Sequence, residues 1–121
     1  MTSLDQEGSD SMTKFLPLTP SQFFVLFALA EGEKHGYRIM QDVRALSGGT
    51  LRMGPATLYT TIQKLSDERF IEEISGKACD RRRIYRLSQS GKRLLDAEFS
   101  RQHEVLLLAK RKRIFKVGGR A

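Results

Sequence analysis

The sequence predicts a mainly α fold with a small β-hairpin: three short helices, two strands and one long terminal helix. Three observations carry this. Pro20 and Pro55 each open a stretch of helical periodicity, where a fixed φ suits a helix start and the missing N–H costs nothing. Apolar residues recur at helical spacing up to Leu65 and again from Leu94. Between these stretches the period shortens to that of strands, broken by a polar turn.

Residues 1–14 are rich in Ser, Asp, Gly and Thr without periodicity, and a disordered arm is expected there. Thr19 is a good N-cap for the first helix, with Pro20 at its first position. Phe23, Leu26, Phe27 and Ala30 form its expected core face, and Gly32 its stop. The second helix runs from about Gly36 to Leu46, with Tyr37, Met40, Val43 and Leu46 on its apolar side and Ser47-Gly48-Gly49 at its end. His35 just before it reads as a hydrogen-bonded capping residue. The third helix begins near Pro55, buries Leu58, Ile62 and Leu65, and carries Tyr59 alongside.

Phe70–Ile74 and Arg83–Leu87 then read as strands, joined by the polar stretch Ser75 to Arg82. Ser88 caps the last helix, whose apolar positions include Leu94, Leu95, Phe99, Val105, Leu106, Leu108 and Ala109. That stripe is broad enough to pack on the domain and also on a second copy. Three helices followed by a hairpin are the layout of a winged helix-turn-helix. The expected division is an arm over 1–14, a winged helix-turn-helix over 15–88, a dimerisation helix over 89–115 and a basic tail over 116–121. From 121 residues one core is expected, without a large separate ligand-binding domain.

Twenty-one Lys and Arg against 14 Asp and Glu leave a net charge of +7, which favours a polyanion, either nucleic acid or an anionic membrane. The first thirteen residues contain Asp5, Glu7 and Asp10 and no cation, unlike an export signal. Phe23 to Ala30 is too short to span a bilayer. Cys79 is the only cysteine, so no intrachain disulfide forms and a cytoplasmic location is expected. Cys79 itself reads as a loop thiol. A redox-sensing thiol activated by its arginine neighbours is the lesser alternative.

In a helix-turn-helix the last helix of the trio enters the major groove by its N-terminal half. Here that half contains Pro55, Ala56, Thr57, Tyr59, Thr60 and Thr61, with Lys64 one turn on. Threonine hydroxyls bond phosphates or base edges and threonine methyls meet thymine methyls. The free N–H groups of a helix start attract phosphate. Taken alone, these threonines read rather as a solvated helix surface; the surrounding layout reverses that preference in favour of the groove.

In the hairpin, Lys77, Arg81, Arg82 and Arg83 crowd a short turn, and a phosphate backbone relieves their repulsion. Strand alternation sends Arg81 and Arg83 to one face and Arg82 to the other, leaving one arginine to pair with Glu72 or Glu73. A wholly structural cluster stays open as the alternative. The run Lys110 to Arg113 reads as a solvated helix end whose cations suit the dipole, with DNA or dimer contact the lesser reading.

Catalytic readings fail. His35 and His103 are far apart, and no cluster has metal-ligand spacing. Ser47-Gly48-Gly49 lacks the Lys-Ser/Thr of a phosphate loop. Glu72 and Glu73 are adjacent on a strand and face opposite ways. No catalytic residue, metal or cofactor is expected, and the chain does not read as an enzyme.

Three segments carry a family resemblance. His35-Gly36-Tyr37-Arg38-Ile39-Met40, Ala56-Thr57-Leu58-Tyr59 with Ile62 and Leu65, and Arg81 through Gly91 together resemble the PadR family of transcriptional regulators in order and spacing. The resemblance covers roughly Leu18 to Leu95. It implies a homodimer joined by C-terminal helices, with Leu95, Phe99, Val105, Leu106 and Ala109 as the expected interface. It also implies an inverted-repeat DNA operator and usually repression. Tyr37, Thr57 and Tyr59 are matching motif positions; Tyr37 and Leu58 read as mainly structural, while Tyr59 either packs in the core or offers its hydroxyl to phosphate. The family often has Gly at the position of Ala56, Pro at that of Thr60 and Gly at that of Arg69, so no operator sequence carries over. If residue 69 needs positive φ, arginine costs about 1 kcal/mol there. Two other functions compete with a DNA-binding regulator: a winged-helix protein-interaction module, and a regulator sensing a small molecule at the dimer interface.

Overall fold

The computed structural model describes residues 12–74 and 83–116. In chain order they form α1 (Pro20–Ala30), β1 (Lys34–His35), α2 (Gly36–Leu46), α3 (Pro55–Asp67), β2 (Ile71–Ile74), β3 (Ile84–Leu87) and α4 (Gln89–Arg111). The strands make one antiparallel sheet in the order β1-β3-β2. The architecture is the mainly helical winged helix-turn-helix with a long terminal helix, plus one strand the periodicity does not show. Among the described residues no helix is long and apolar enough to cross a membrane.

The start of α1 is a capping box. Thr19 Oγ1 accepts from Gln22 N at 3.2 Å, and Gln22 Oε1 accepts from Thr19 N at 3.2 Å. Such a cap contributes about 1 kcal/mol. The buried face of α1 differs from the expected one: Val25, Leu26, Ala28 and Leu29 are buried, Phe23 and Phe27 are half-buried and Ala30 is exposed. Every residue from Phe23 to Ala30 is apolar, so periodicity leaves the rotation of the helix undetermined and tertiary packing decides it. Phe23, Phe24 and Phe27 join Phe99 of α4 in edge-to-face contacts with centroids 4.9–5.8 Å apart.

In α2 the buried residues are Gly36, Ile39 and Val43. Tyr37, expected on the apolar side, is 68% exposed. His35 does not cap this helix with its side chain. It belongs to β1, where it faces Ile84, and its Nδ1 lies 3.3 Å from the Arg83 carbonyl oxygen. The start of α2 is thereby tied to the base of the hairpin. Strand β2 meets β3 in the register Ile71↔Leu87 to Ile74↔Ile84, so Ile71, Tyr85 and Leu87 point into the core.

Helix α3 ends in a Schellman motif, in which Phe70 N donates to Leu65 O and Arg69 N to Ser66 O, each at 2.9 Å. The left-handed residue in it is Arg69, with φ 65°. A side chain there costs about 1 kcal/mol relative to glycine. Arg69→Gly should therefore raise stability by about 1 kcal/mol and the melting temperature by roughly 5 °C. A melting curve unmoved or shifted downward would show that Arg69 contributes something that offsets its backbone strain.

Packing extends past both ends of the expected 15–88 unit. Met12, Phe15 and Leu16 pack against the core, and Phe15 meets Phe70 edge-to-face at 5.0 Å. The packed chain thus begins by Met12, ahead of the expected boundary. At the other end Gly91, Leu94, Leu95 and Glu98 of α4 are buried. The first half of the terminal helix is core of the same body, and no described residue after Glu98 is buried.

Candidate nucleic-acid interface

The groove-entering half of α3 is open to solvent. Its N-cap is Gly54, which has no side chain to bond the first turn, and Pro55 brings no N–H of its own. The N–H groups of Ala56 and Thr57 thus lack a capping acceptor and carry the partial positive charge of the helix start. Pro55, Ala56, Thr57, Tyr59, Thr60 and Lys64 are all exposed, while Leu58, Ile62 and Leu65 hold the helix to the core. Thr61 departs from the expected set: it is half-buried, and its hydroxyl donates to the Thr57 carbonyl at 2.8 Å. That proton is used within the helix, which leaves Thr57 and Thr60 as the outward hydroxyls.

Two sequence motifs meet at one corner of this surface. A Cβ on Gly36 would collide with the Tyr59 hydroxyl and lie 3.0 Å from its Cζ. The ring of Tyr59 therefore lies across the start of α2, in the space that glycine leaves open. Tyr59 is 47% exposed, so its ring packs while its edge reaches solvent. Tyr37, the residue after Gly36, is exposed on α2, a surface residue rather than a structural one. The signal for this lay in the i, i+4 pair Ile39 and Val43, which turns the apolar side of α2 away from Tyr37.

At the base of the hairpin Arg83 Nε lies 3.7 Å from Glu73 Oε2, the facing-strand pairing expected for one of the arginines. Arg86 lies between Glu72, at 3.4 Å, and Glu33, at 4.0 Å. All these side chains are about half exposed or more, so each pair contributes at most about 1 kcal/mol. Tyr85 is buried beneath them. Burial pushes its hydroxyl above the usual phenol range, against the pull of the neighbouring Arg83. Lys77, Cys79, Arg81 and Arg82 lie outside the described residues.

Two cations near the start of α2 are matched within the fold. Lys34 is held by Glu31 and Asp42, and Arg38 Nε lies 3.2 Å from Asp42. Lys64 remains outward, at the edge of a cleft of about 400 Å³ that Lys14, Thr19 and Glu68 also line. Among the described residues no group of His, Cys, Asp or Glu is placed to hold a metal ion.

The expected interface residues separate into two sets. Leu95 is only 3% exposed in a single chain and belongs to its own core, so it is not available to a second copy. Phe99, Val105 and Leu106 are exposed, and Ala109 is half-buried. Phe99 and Leu106 are seven residues apart and lie on one side of α4. Phe99 also meets the half-buried Phe23 and Phe27, which joins the apolar surfaces of α1 and α4.

A family model described as the transcriptional regulator PadR-like family matches residues 25–97. A 37.1 kDa transposon protein of Streptomyces fradiae is 35% identical over 78 residues. The match takes in 64% of this chain and 21% of that protein, so the chain spans about a fifth of its relative's length. Among solved structures, a transcriptional regulator from Clostridium thermocellum has a TM-score of 0.64 at 20% identity, covering 84% of this chain and 93% of that one. Bacillus subtilis PadR, solved in complex with operator DNA, has a TM-score of 0.54 at 27% identity. That likeness covers 62% of this chain and 44% of the Bacillus protein.

Proposed function

The chain belongs to the PadR-like family of transcriptional regulators, and from that premise we propose that it represses transcription as a homodimer on an inverted-repeat DNA operator. The observation that carries this is the outer edge of α3. It combines an uncapped N-terminus, two outward threonine hydroxyls and Lys64 on a helix whose other side is locked into the core. The helix start and Lys64 take phosphates and set the register, while Thr57 and Thr60 read base edges. The hairpin, with Arg83 at its base, follows the backbone beside that groove.

Duplex binding should weaken linearly on a log–log scale with salt, with a slope of about −0.9 per phosphate neutralised. Thr57→Ala and Thr60→Ala should each reduce discrimination between preferred and random duplexes by about 1 kcal/mol. Competition binding at one salt concentration measures this. Equal losses on every duplex would mean that α3 positions the protein and does not read sequence.

Two copies joined through the outer half of α4 present their reading helices about one duplex turn apart, ~34–36 Å. Leu106→Glu puts a charge into that contact. It should leave a folded monomer whose duplex affinity is lower by tenfold or more, about 1.4 kcal/mol. Light scattering of the wild type and the variant decides it: a wild-type monomer, or a variant that remains a dimer, rules out this face.

A further inference from the structure

The net charge of +7 is not spread over the fold. Residues 12–74 carry seven cations and seven acids. Lys110, Arg111, Lys112, Arg113 and Lys116 place five cations within seven residues, with no acid among them. All five are exposed. Among the described residues the ion pairs engage Lys34, Arg38, Arg83, Arg86 and Arg101, and none reaches this segment. The nearest acid before it is Glu104, six residues from Lys110. That is about 9 Å along a helix axis, beyond the ~8 Å screening length at physiological salt.

A helix end accounts for only part of this cluster. Cations in a last turn complement the C-terminal partial charge, but the effect fades within that turn. Helix α4 stops at Arg111 with Lys112 as its cap, so Arg113 and Lys116 lie past it. Five like charges this close repel one another, and a polyanion relieves the repulsion. The thirteen residues from Phe99 to Arg111 continue α4 for about 20 Å after its last buried residue. The charges are therefore carried at the far end of an arm.

We propose that Lys110, Arg111, Lys112, Arg113 and Lys116 form a second, sequence-independent contact to duplex phosphates, separate from α3 and the hairpin. It presupposes the duplex-binding function proposed above. It adds to the phosphate contacts of Lys64 and the hairpin, since residues 12–74 as a whole carry no net charge. Ile114 and Phe115, 77% and 42% exposed, add apolar surface that an anionic bilayer would also accept, so the test includes vesicles.

The full chain and a variant with all five residues changed to Gln are titrated against a mixed-sequence duplex of about 30 base pairs across a salt series. The variant should give a slope shallower by about 2 or more, and a tenfold or larger loss of affinity near ~0.1 M salt. The ratio between any two duplexes that the wild type distinguishes should stay the same. The milder pair Arg113→Gln and Lys116→Gln, past the end of the helix, should show about half the change in slope. A slope equal to the wild type in both variants overturns the proposal. So does sedimentation of the wild type, but not the variant, with phosphatidylglycerol vesicles while duplex binding is unchanged. A wild type that binds no duplex at all removes the regulator function itself, and is distinguished before any variant is made.

Discussion

Glu98→Ala should destabilise the fold by about 3 kcal/mol. Glu98 is 1% exposed, on the side of α4 that faces the segment leading into α1. Its Oε2 accepts from the Leu18 backbone N–H at 3.1 Å and from Arg101 Nη2 at 3.3 Å, and its Oε1 from Arg101 Nε. Truncation leaves the Leu18 N–H buried without an acceptor, which costs about 1–3 kcal/mol, and opens a cavity next to Leu94 and Leu95. Arg101 is 40% exposed and turns to water, so the full penalty for stranding a buried charge does not apply. Glu98→Gln keeps an acceptor for Leu18 but sets an amide against the guanidinium, and should cost about half as much. Urea midpoints at an unchanged m-value measure both. Glu98→Ala unfolding at the wild-type midpoint would show that the carboxylate is not what fastens residues 12–18 to the body.

The second large effect is expected at Gly91. A Cβ there would collide with the Phe70 carbonyl oxygen and lie 3.0 Å from the Phe70 carbonyl carbon and 3.3 Å from Leu87 Cδ2. The Phe70 carbonyl cannot retreat freely, because it accepts from Ser88 N at 3.0 Å. The nearest obstacle is backbone, unlike Gly36, where the flexible end of Tyr59 can move. Alanine gains about 1 kcal/mol in helix propensity, but forcing α4 away from the hairpin costs about 3 kcal/mol or more. Gly91→Ala should thus lower stability by about 2–3 kcal/mol and the melting temperature by roughly 10–20 °C. Lys92→Ala, one residue on and exposed, should stay within about 0.5 kcal/mol of wild type. Identical melting of the two variants would refute the close contact between α4 and Phe70.

Much of this fold can be read from punctuation. Thr19-Pro20 with Gln22, Gly54-Pro55 and Ser88 each mark a helix start where one is found, because capping depends on local chemistry. The hairpin strands are legible from the change of period. The rotation of α1 is not, since an all-apolar helix offers no contrast. Strand β1 is two residues long, too short for any alternation, and exists only through its pairing with β3. The buried acid was visible in part: Glu98 is four residues after Leu94 and three before Arg101, a carboxylate on the apolar side with a cation within reach. For the interface, the exposed threonines and Lys64 follow from helical spacing alone. The inward hydroxyl of Thr61 and the burial of Leu95 do not, because both depend on which partner the helix meets.

Because Leu94, Leu95 and Glu98 root α4 in the same core that holds α3, the terminal helix works as a stiff handle on the reading head and not as a hinged appendage. Rotating the outer part of that handle turns the head with it. In the homodimer proposed above, a change in how two such handles meet would therefore alter the spacing of the two α3 helices.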